Sequence, residues 1–130
     1  MAWMEWRWVI LVAIFAFFVV GGYLSDRLVL QAVGELENLA TSLEVAISAD
    51  NWPGAREVLD GIYRKWPQIR RSWDLRMDRD EMDDLDLSLA RLRGYMGEKD
   101  KAGILSELGV WQTLLTHVEQ KEVFRWRNLL

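Results

Sequence analysis

The densest group of residues that could do chemistry is an acidic run in the second half of the chain: Asp78, Asp80, Glu81, Asp83, Asp84 and Asp86. Asp80, Asp83 and Asp84 share one face of a helix, where a hard cation such as Ca²⁺ could bind. A calcium loop, however, needs carboxylates at alternate positions and a glycine at its middle, and the run has neither. We therefore interpret it as a solvated helix N-terminus, where the helix dipole favours negative charge.

Other catalytic chemistry has little support in the sequence. His117 is the only histidine and there is no cysteine, so the usual ligands of a zinc site are lacking. No serine lies in a nucleophile elbow, and there is no glycine-rich phosphate loop. We expect a non-enzymatic protein without metal or cofactor, and the net charge of −4 argues against nucleic acid as its main partner.

Aromatic and basic residues are the remaining candidates for a binding site. Four tryptophans could line a ligand groove: Trp52, Trp66, Trp73 and Trp111. The last three fall on apolar stripes, so we expect them to pack in a core. Trp52 lies in the turn between two helices, where we expect it to cap the bundle or to be exposed. The basic residues Arg64, Lys65, Arg70 and Arg71 flank Pro67 on a polar face and could meet a phosphate or a lipid headgroup. We expect them instead to pair with the acidic run.

The elements that must position these residues begin with an apolar segment, residues 8–24, which carries no charge. As a helix it would be roughly 25 Å long, enough for the hydrocarbon core of a bilayer. Trp3, Trp6 and Trp8 crowd one end and Tyr23 marks the other, as is typical of aromatic residues at membrane interfaces. We therefore predict a transmembrane helix within residues 1–25 and a separate domain over residues 26–130.

The alternative for this segment is a cleaved signal peptide. Its basic leader would be weak, with Arg7 opposed by Glu5, and no Ala-x-Ala cleavage site follows it. We expect an uncleaved signal anchor in the cell membrane, passing once. A slight excess of positive charge before the segment favours an N-terminus inside and a domain outside.

After Ser25 the apolar residues recur at helical spacing. The stripe predicted for the first helix is Leu28, Ala32, Leu36, Leu39, Leu43 and Ile47. No proline separates it from the apolar segment, so we expect one helix as far as about Ala49. A second stripe, containing Val29, Val33 and Ala40, widens the apolar face. That width suits either self-association into a homo-oligomer or burial in a bundle.

Three more helices follow. Asp50 or Asn51 can cap the second helix, and Pro53 suits its first turn. Pro67 predicts either a kinked continuous helix or two helices that meet near Trp66. With short turns before the third and fourth helices, the sequence predicts an all-α protein. Its N-terminal transmembrane helix continues into an antiparallel four-helix bundle.

This topology brings the end of the fourth helix back to the membrane. The tail combines the apolar residues Phe124, Trp126, Leu129 and Leu130 with Arg125 and Arg127, which suits a lipid surface. The alternative, which we expect, is that the apolar residues of the tail close the bundle.

The order of these features resembles a family of short membrane-anchored helical proteins of unknown function from Gram-positive, spore-forming bacteria. The residues that carry the resemblance are Asp50-Asn51-Trp52, the acidic opening Asp80-Glu81-Met82-Asp83, the run 85–92, the segment 117–122 and Asn128-Leu129-Leu130. The resemblance implies a helical domain beside a membrane and a bacterial source. It supplies no catalytic residues. A histidine often precedes the acidic opening in that family, whereas this chain has Arg79.

The expected function is a membrane-anchored interaction module that contacts the lipid bilayer and binds a membrane-protein partner. A lipid or small-ligand sensor, using the bundle or a tryptophan-lined face, is the alternative. The candidate interaction surface comprises Trp52, Arg70, Arg71, Arg79, Asp80, Asp83, Phe124 and Trp126.

Overall fold

The computed structural model of the chain describes residues 2–129 and, within that range, all side chains except those of Ala2, Trp126 and Leu129. These residues form the helices α1 (Ala2–Ser48), α2 (Trp52–Trp73), α3 (Arg79–Gly97) and α4 (Lys101–Leu129). No strand occurs within that range. The prediction of an all-α bundle with a long apolar first helix is confirmed.

Helix α1 has two parts with different surroundings. Every described side chain from residue 3 to Leu24 is exposed, whereas one face becomes buried from Asp26 onward. The exposed part is long and apolar enough to cross a membrane. A signal sequence near the N-terminus can have the same length and composition. Since none of its most apolar stretch is buried, it is not a core helix of this fold.

The core face of α1 differs in part from the predicted stripe. Leu28 is 64% exposed, so its place in the predicted stripe is wrong. The buried residues of this face are Asp26, Val29, Val33, Leu36, Ala40, Leu43 and Ile47. The second stripe therefore supplies much of the core. Because helices of the same chain cover it, it is not free for self-association.

The N-termini of α2 and α4 are capped in the same way. The Asn51 side chain accepts a hydrogen bond from the Gly54 N–H (3.1 Å), and Asp100 accepts one from the Gly103 N–H (3.0 Å). A Cβ at Gly54 would lie 2.4 Å from the Asn51 side chain, so the cap needs a glycine there. The prediction of a cap at Asp50 or Asn51 thus resolves to Asn51, while Asp50 adopts a positive φ of 55° in the turn.

Helix α2 is continuous from Trp52 to Trp73 and contains Pro67 in its interior. Of the two forms predicted around that proline, the single helix is the one observed. Its continuity keeps the buried side chains on one face, and these are Ala55, Leu59, Ile62, Trp66 and Trp73.

The four helices pack as an antiparallel bundle. Helix α1 packs against both α2 and α4, and α3 packs against α4, whereas α2 and α3 approach each other less closely.

The bundle has two ends, which we call proximal and distal. The proximal end, next to the apolar segment, contains Asp26, the loop 74–78 and the end of α4, which ion pairs join. The distal end contains the turns 49–51 and 98–100, where Lys101 contacts Asp50 (3.3 Å).

Candidate functional site

The predicted interaction residues do not form one surface. Trp52 lies at the distal end, half-buried against the core. Arg79 and Asp80 are exposed at the proximal start of α3, and Phe124 is 65% exposed on the proximal part of α4. Arg71 is exposed near the end of α2. The side chain of Trp126 lies outside the described residues.

Arg70 is the centre of a solvent-exposed ion-pair network where α2 faces α3. It contacts Asp74 (3.8 Å) and Asp83 (3.2 Å), and it also pairs with Asp86. Asp86 in addition accepts a hydrogen bond from Trp66 Nε1 (2.6 Å). The prediction that the basic residues pair with the acidic run is confirmed for Arg70, whose contact with Asp83 connects α2 to α3. It is wrong for Lys65, which contacts Glu35 of α1 (3.6 Å). It is also wrong for Arg64 and Arg71, which form no ion pair with a described residue; Arg71 bonds to the Pro67 carbonyl (3.4 Å).

The tryptophans of the apolar stripes belong to the core. Trp66, Trp73 and Trp111 are all buried, and the rings of Trp66 and Trp73 pack edge to face with centroids 5.8 Å apart. Their packing prediction is confirmed. None of the three therefore lies on an exposed face of the bundle.

The acidic run and His117 show no assembled metal site. His117 is exposed on α4, and Asp80, Asp83 and Asp84 are exposed on α3. Among the described side chains, no group of three or more histidine, aspartate or glutamate residues is placed to hold a metal ion.

A groove between α2 and α3 lies in the distal half of the bundle. Its volume is about 700 Å³, and its lining residues are Pro53, Arg56, Glu57, Asp60, Tyr63, Arg64 and Arg93. Tyr63 forms its floor by donating a hydrogen bond to the Leu89 carbonyl (2.5 Å). We call this feature the distal groove. The distal groove was not predicted, because its residues lie on the polar faces of two helices and the sequence does not show how those faces are oriented toward each other.

The charge of the distal groove is mixed but positive in balance, with three guanidinium groups against two carboxylates. The Arg93 guanidinium lies over the Tyr63 ring, 4.5 Å from its centroid, in a cation–π contact. Burial raises the pKa of the Tyr63 hydroxyl, and the charge of Arg93 opposes that shift in part. Tyr63 therefore remains a neutral hydrogen-bond donor at physiological pH.

A second groove lies at the proximal end, between α1 and α4. Its volume is about 330 Å³, and Tyr23, Arg27, Leu30, Val123 and Arg127 line it. We call it the proximal groove. Phe124 is 65% exposed, so it does not close the bundle, contrary to expectation. The side chains of Trp126, Leu129 and Leu130, for which the same was expected, lie outside the described residues.

A buried cluster of charges lies beside the proximal groove. Arg76, from the loop 74–78, pairs with Asp26 of α1, and Arg125 contacts Glu122 of α4 (3.8 Å). Glu122 is only 1% exposed. Burial raises its pKa above the ordinary value, the Asp26 carboxylate adds to the shift, and Arg76 and Arg125 oppose it. This cluster ties α1, the loop and α4 together.

Comparison with known protein families identifies one that matches most of this chain. Residues 23–129 match the family described as a domain of unknown function, DUF4363. The chain belongs to this family. The match begins at Tyr23, near the end of the apolar segment, and covers the whole DUF4363 bundle with both grooves. The expected membership in an uncharacterised family is confirmed. Searches of curated proteins and of solved structures found no significant match.

Proposed function

We propose that the chain is a bacterial membrane protein whose apolar segment crosses the bilayer as an uncleaved signal anchor. Its N-terminus lies inside the cell and its bundle outside. We further propose that the bundle is a non-enzymatic module that binds a protein partner in or on the same membrane.

The observation that carries this proposal is the continuity of α1. One helix contains both the exposed apolar segment and a core face of the bundle, and no break separates them. The bundle would then have no flexible linker that allows it to move away from the bilayer. A module held at a fixed height favours a partner in the same membrane.

The distal groove is the surface that fits such a partner. From Asp26 to Ser48, α1 rises roughly 33 Å, so the groove would lie about 20–30 Å above the end of the apolar segment. Arg56 and Arg64 form no ion pair with a described residue. Arginine is enriched at protein interfaces and pairs well with carboxylates. We propose that the groove receives an acidic segment of the partner.

Site-specific crosslinking in cells tests this function. A photoreactive amino acid at Arg64 of the full chain should trap a specific membrane protein, whereas the same amino acid at Thr113, exposed on α4, should not. Charge reversal in the distal groove, Arg56→Glu with Arg93→Glu, should abolish the adduct, and Lys99→Glu at the distal turn should not.

A reporter fused after Leu130 shows on which side of the membrane the bundle lies.

Two results would count against the proposal. An adduct that forms equally from Arg64 and Thr113 would mean that the groove is not the docking surface. No specific adduct at either position would remove the support for a protein partner.

The alternative function, a lipid sensor, has one observation in its favour. The proximal groove combines arginine and apolar side chains directly beside the end of the apolar segment.

A further inference from the structure

We propose that the proximal groove is a binding site for the phosphate headgroup of a phospholipid, with Arg27 and Arg127 as the groups that bind the phosphate. This inference rests on the proposed membrane crossing of the apolar segment. It does not depend on a protein partner at the distal groove.

The geometry brings two arginines to one groove from facing helices. On α1, Tyr23 and Arg27 are four residues apart and therefore share a face. On α4, Val123 and Arg127 have the same spacing. Because α1 and α4 run antiparallel, both guanidinium groups reach the same cavity.

The charges of these two arginines are not neutralised inside the described part of the chain. No described carboxylate pairs with Arg27 or Arg127, whereas Arg76 and Arg125, at the same end of the bundle, each contact one. Two like charges that line one cavity favour an anion between them. Guanidinium groups bind phosphate oxygens in a planar, two-pronged geometry.

The rest of the groove fits a lipid rather than a free anion. Leu30 and Val123 give it an apolar lining, and this lining lies next to the apolar segment, along which acyl chains would run. Tyr23 stands at the depth where aromatic side chains meet the headgroups. A free phosphate ion would gain nothing from the apolar lining.

The surroundings of the groove also suit a membrane surface. Leu75, in the loop 74–78, is 97% exposed, and Phe124 is 65% exposed, both at the proximal end. Apolar side chains left in water at one end of a small domain indicate a contact with a partner or a membrane. With the apolar segment leaving the bundle at that end, the contact is the bilayer.

Lipid titration of the full chain tests the site. The protein is purified in a neutral detergent and titrated with phosphatidylglycerol, and native mass spectrometry counts the bound lipid. The wild type should retain the lipid. The double variant Arg27→Gln with Arg127→Gln should bind about tenfold more weakly or worse, with each single variant in between.

Control variants and competitors make the outcome decisive. Lys65→Gln with Lys99→Gln removes the same charge from other exposed positions and should bind like the wild type. Thermal unfolding checks that all variants fold. Equal binding by both double variants overturns the headgroup site. Full competition by inorganic phosphate at the lipid's own concentration overturns the assignment to a lipid.

A separate measurement distinguishes failure of the anchor from failure of the site. If alkaline carbonate extracts the full chain from membranes, the membrane crossing is wrong and the headgroup proposal falls with it. If the chain resists extraction but the arginine variant binds lipid normally, the anchor stands and only the headgroup site is wrong.

Discussion

Glu122 shows how one side chain at the proximal end responds to burial. Its carboxyl group is almost fully enclosed and lies near a second carboxylate, Asp26, and two arginines, Arg76 and Arg125. Loss of hydration disfavours the charged form and is the largest cause of the raised pKa of Glu122. The nearby Asp26 carboxylate raises the pKa further. The arginines reduce the shift without cancelling it.

The raised pKa has a defined consequence for stability. A carboxyl with a higher pKa in the folded state binds its proton more readily there than in the unfolded chain. Its stabilising contribution is therefore complete below the ordinary value of 4.5. That contribution is lost as the pH rises through the folded-state pKa.

Replacement of Glu122 by glutamine tests this at the residue scale. Since glutamine is neutral at every pH, Glu122→Gln should raise the melting temperature by a few degrees near pH 7, and the gain should shrink toward pH 4.5. Thermal unfolding across that range measures it. Glu98→Gln, an exposed control, should shift little. A lower melting temperature for Glu122→Gln near pH 7 would mean that the arginines outweigh burial.

At the scale of the elements, side chains rather than close backbone contact connect α2 to α3. Trp66 and Arg70 of α2 both bond to Asp86 of α3, and Tyr63 reaches the Leu89 carbonyl. Long polar side chains hold the two helices while leaving room between them. The distal groove is the open part of this interface.

The contribution of Asp86 to this connection can be measured. Asp86→Ala leaves the buried Trp66 N–H without its acceptor, and we expect a loss of about 2 kcal/mol in the free energy of unfolding. Asp86→Asn keeps an acceptor and loses only the pairing with Arg70, so it should cost under about 1 kcal/mol. Urea unfolding gives both values.

Asp84 provides the matched control on the same helix. It is exposed and forms no hydrogen bond or ion pair with a described residue, so Asp84→Ala should change stability by less than about 0.5 kcal/mol. If Asp86→Ala were as mild as Asp84→Ala, other contacts would have to hold α2 and α3 together.

For the whole molecule, the central feature is the passage of α1 from the apolar segment into the core without a break. In the proposed membrane-spanning arrangement, a helix of this kind holds the bundle at a fixed position relative to the bilayer. The proximal groove and the exposed Leu75 and Phe124 lie at this junction. Their placement depends on α1 being rigid there.

Spin labels can test the rigidity of that passage. The chain has no cysteine, so Ala13→Cys and Glu44→Cys, both at exposed positions of α1, place two labels without interference. In a continuous helix, the distribution of distances between the two labels should be narrow and centred at about 46 Å. Pulsed electron paramagnetic resonance of the reconstituted chain measures that distribution.

Insertions after Leu24 serve as the paired controls. About four alanines should lengthen the distance by roughly 6 Å without broadening it, because the helix continues. The same number of alternating glycine and serine residues should broaden it strongly. A broad distribution in the chain without an insertion would show a flexible joint and contradict the rigid anchor.

Much of the fold was predictable because its determinants are local. Helix periodicity, the Asn51 cap and the uncharged apolar segment each depend on residues within a few positions of one another. The pairing of Arg70 with the acidic run followed from opposite charges on neighbouring helices. The burial of Trp66, Trp73 and Trp111 followed from their place on apolar stripes.

The candidate sites were less predictable because they depend on how helices face each other. Arg56 and Arg93, or Arg27 and Arg127, are far apart in the sequence, and nothing in their own helices marks them as neighbours. The exposure of Phe124 was also missed, since α4 extends beyond Glu122, the last of its described residues that is buried.

The sequence by itself predicted an all-α chain, the turn at residues 50–51 that precedes α2, and an apolar segment in the first helix. It left open whether Pro67 divides α2. Only the tertiary structure decided that Val29 and Val33 of α1, and not Leu28, enter the core, and that arginines from different helices line two grooves. The reason is physical. Hydrogen bonding and capping act within a helix, whereas the rotation of each helix about its axis is set by packing against the others.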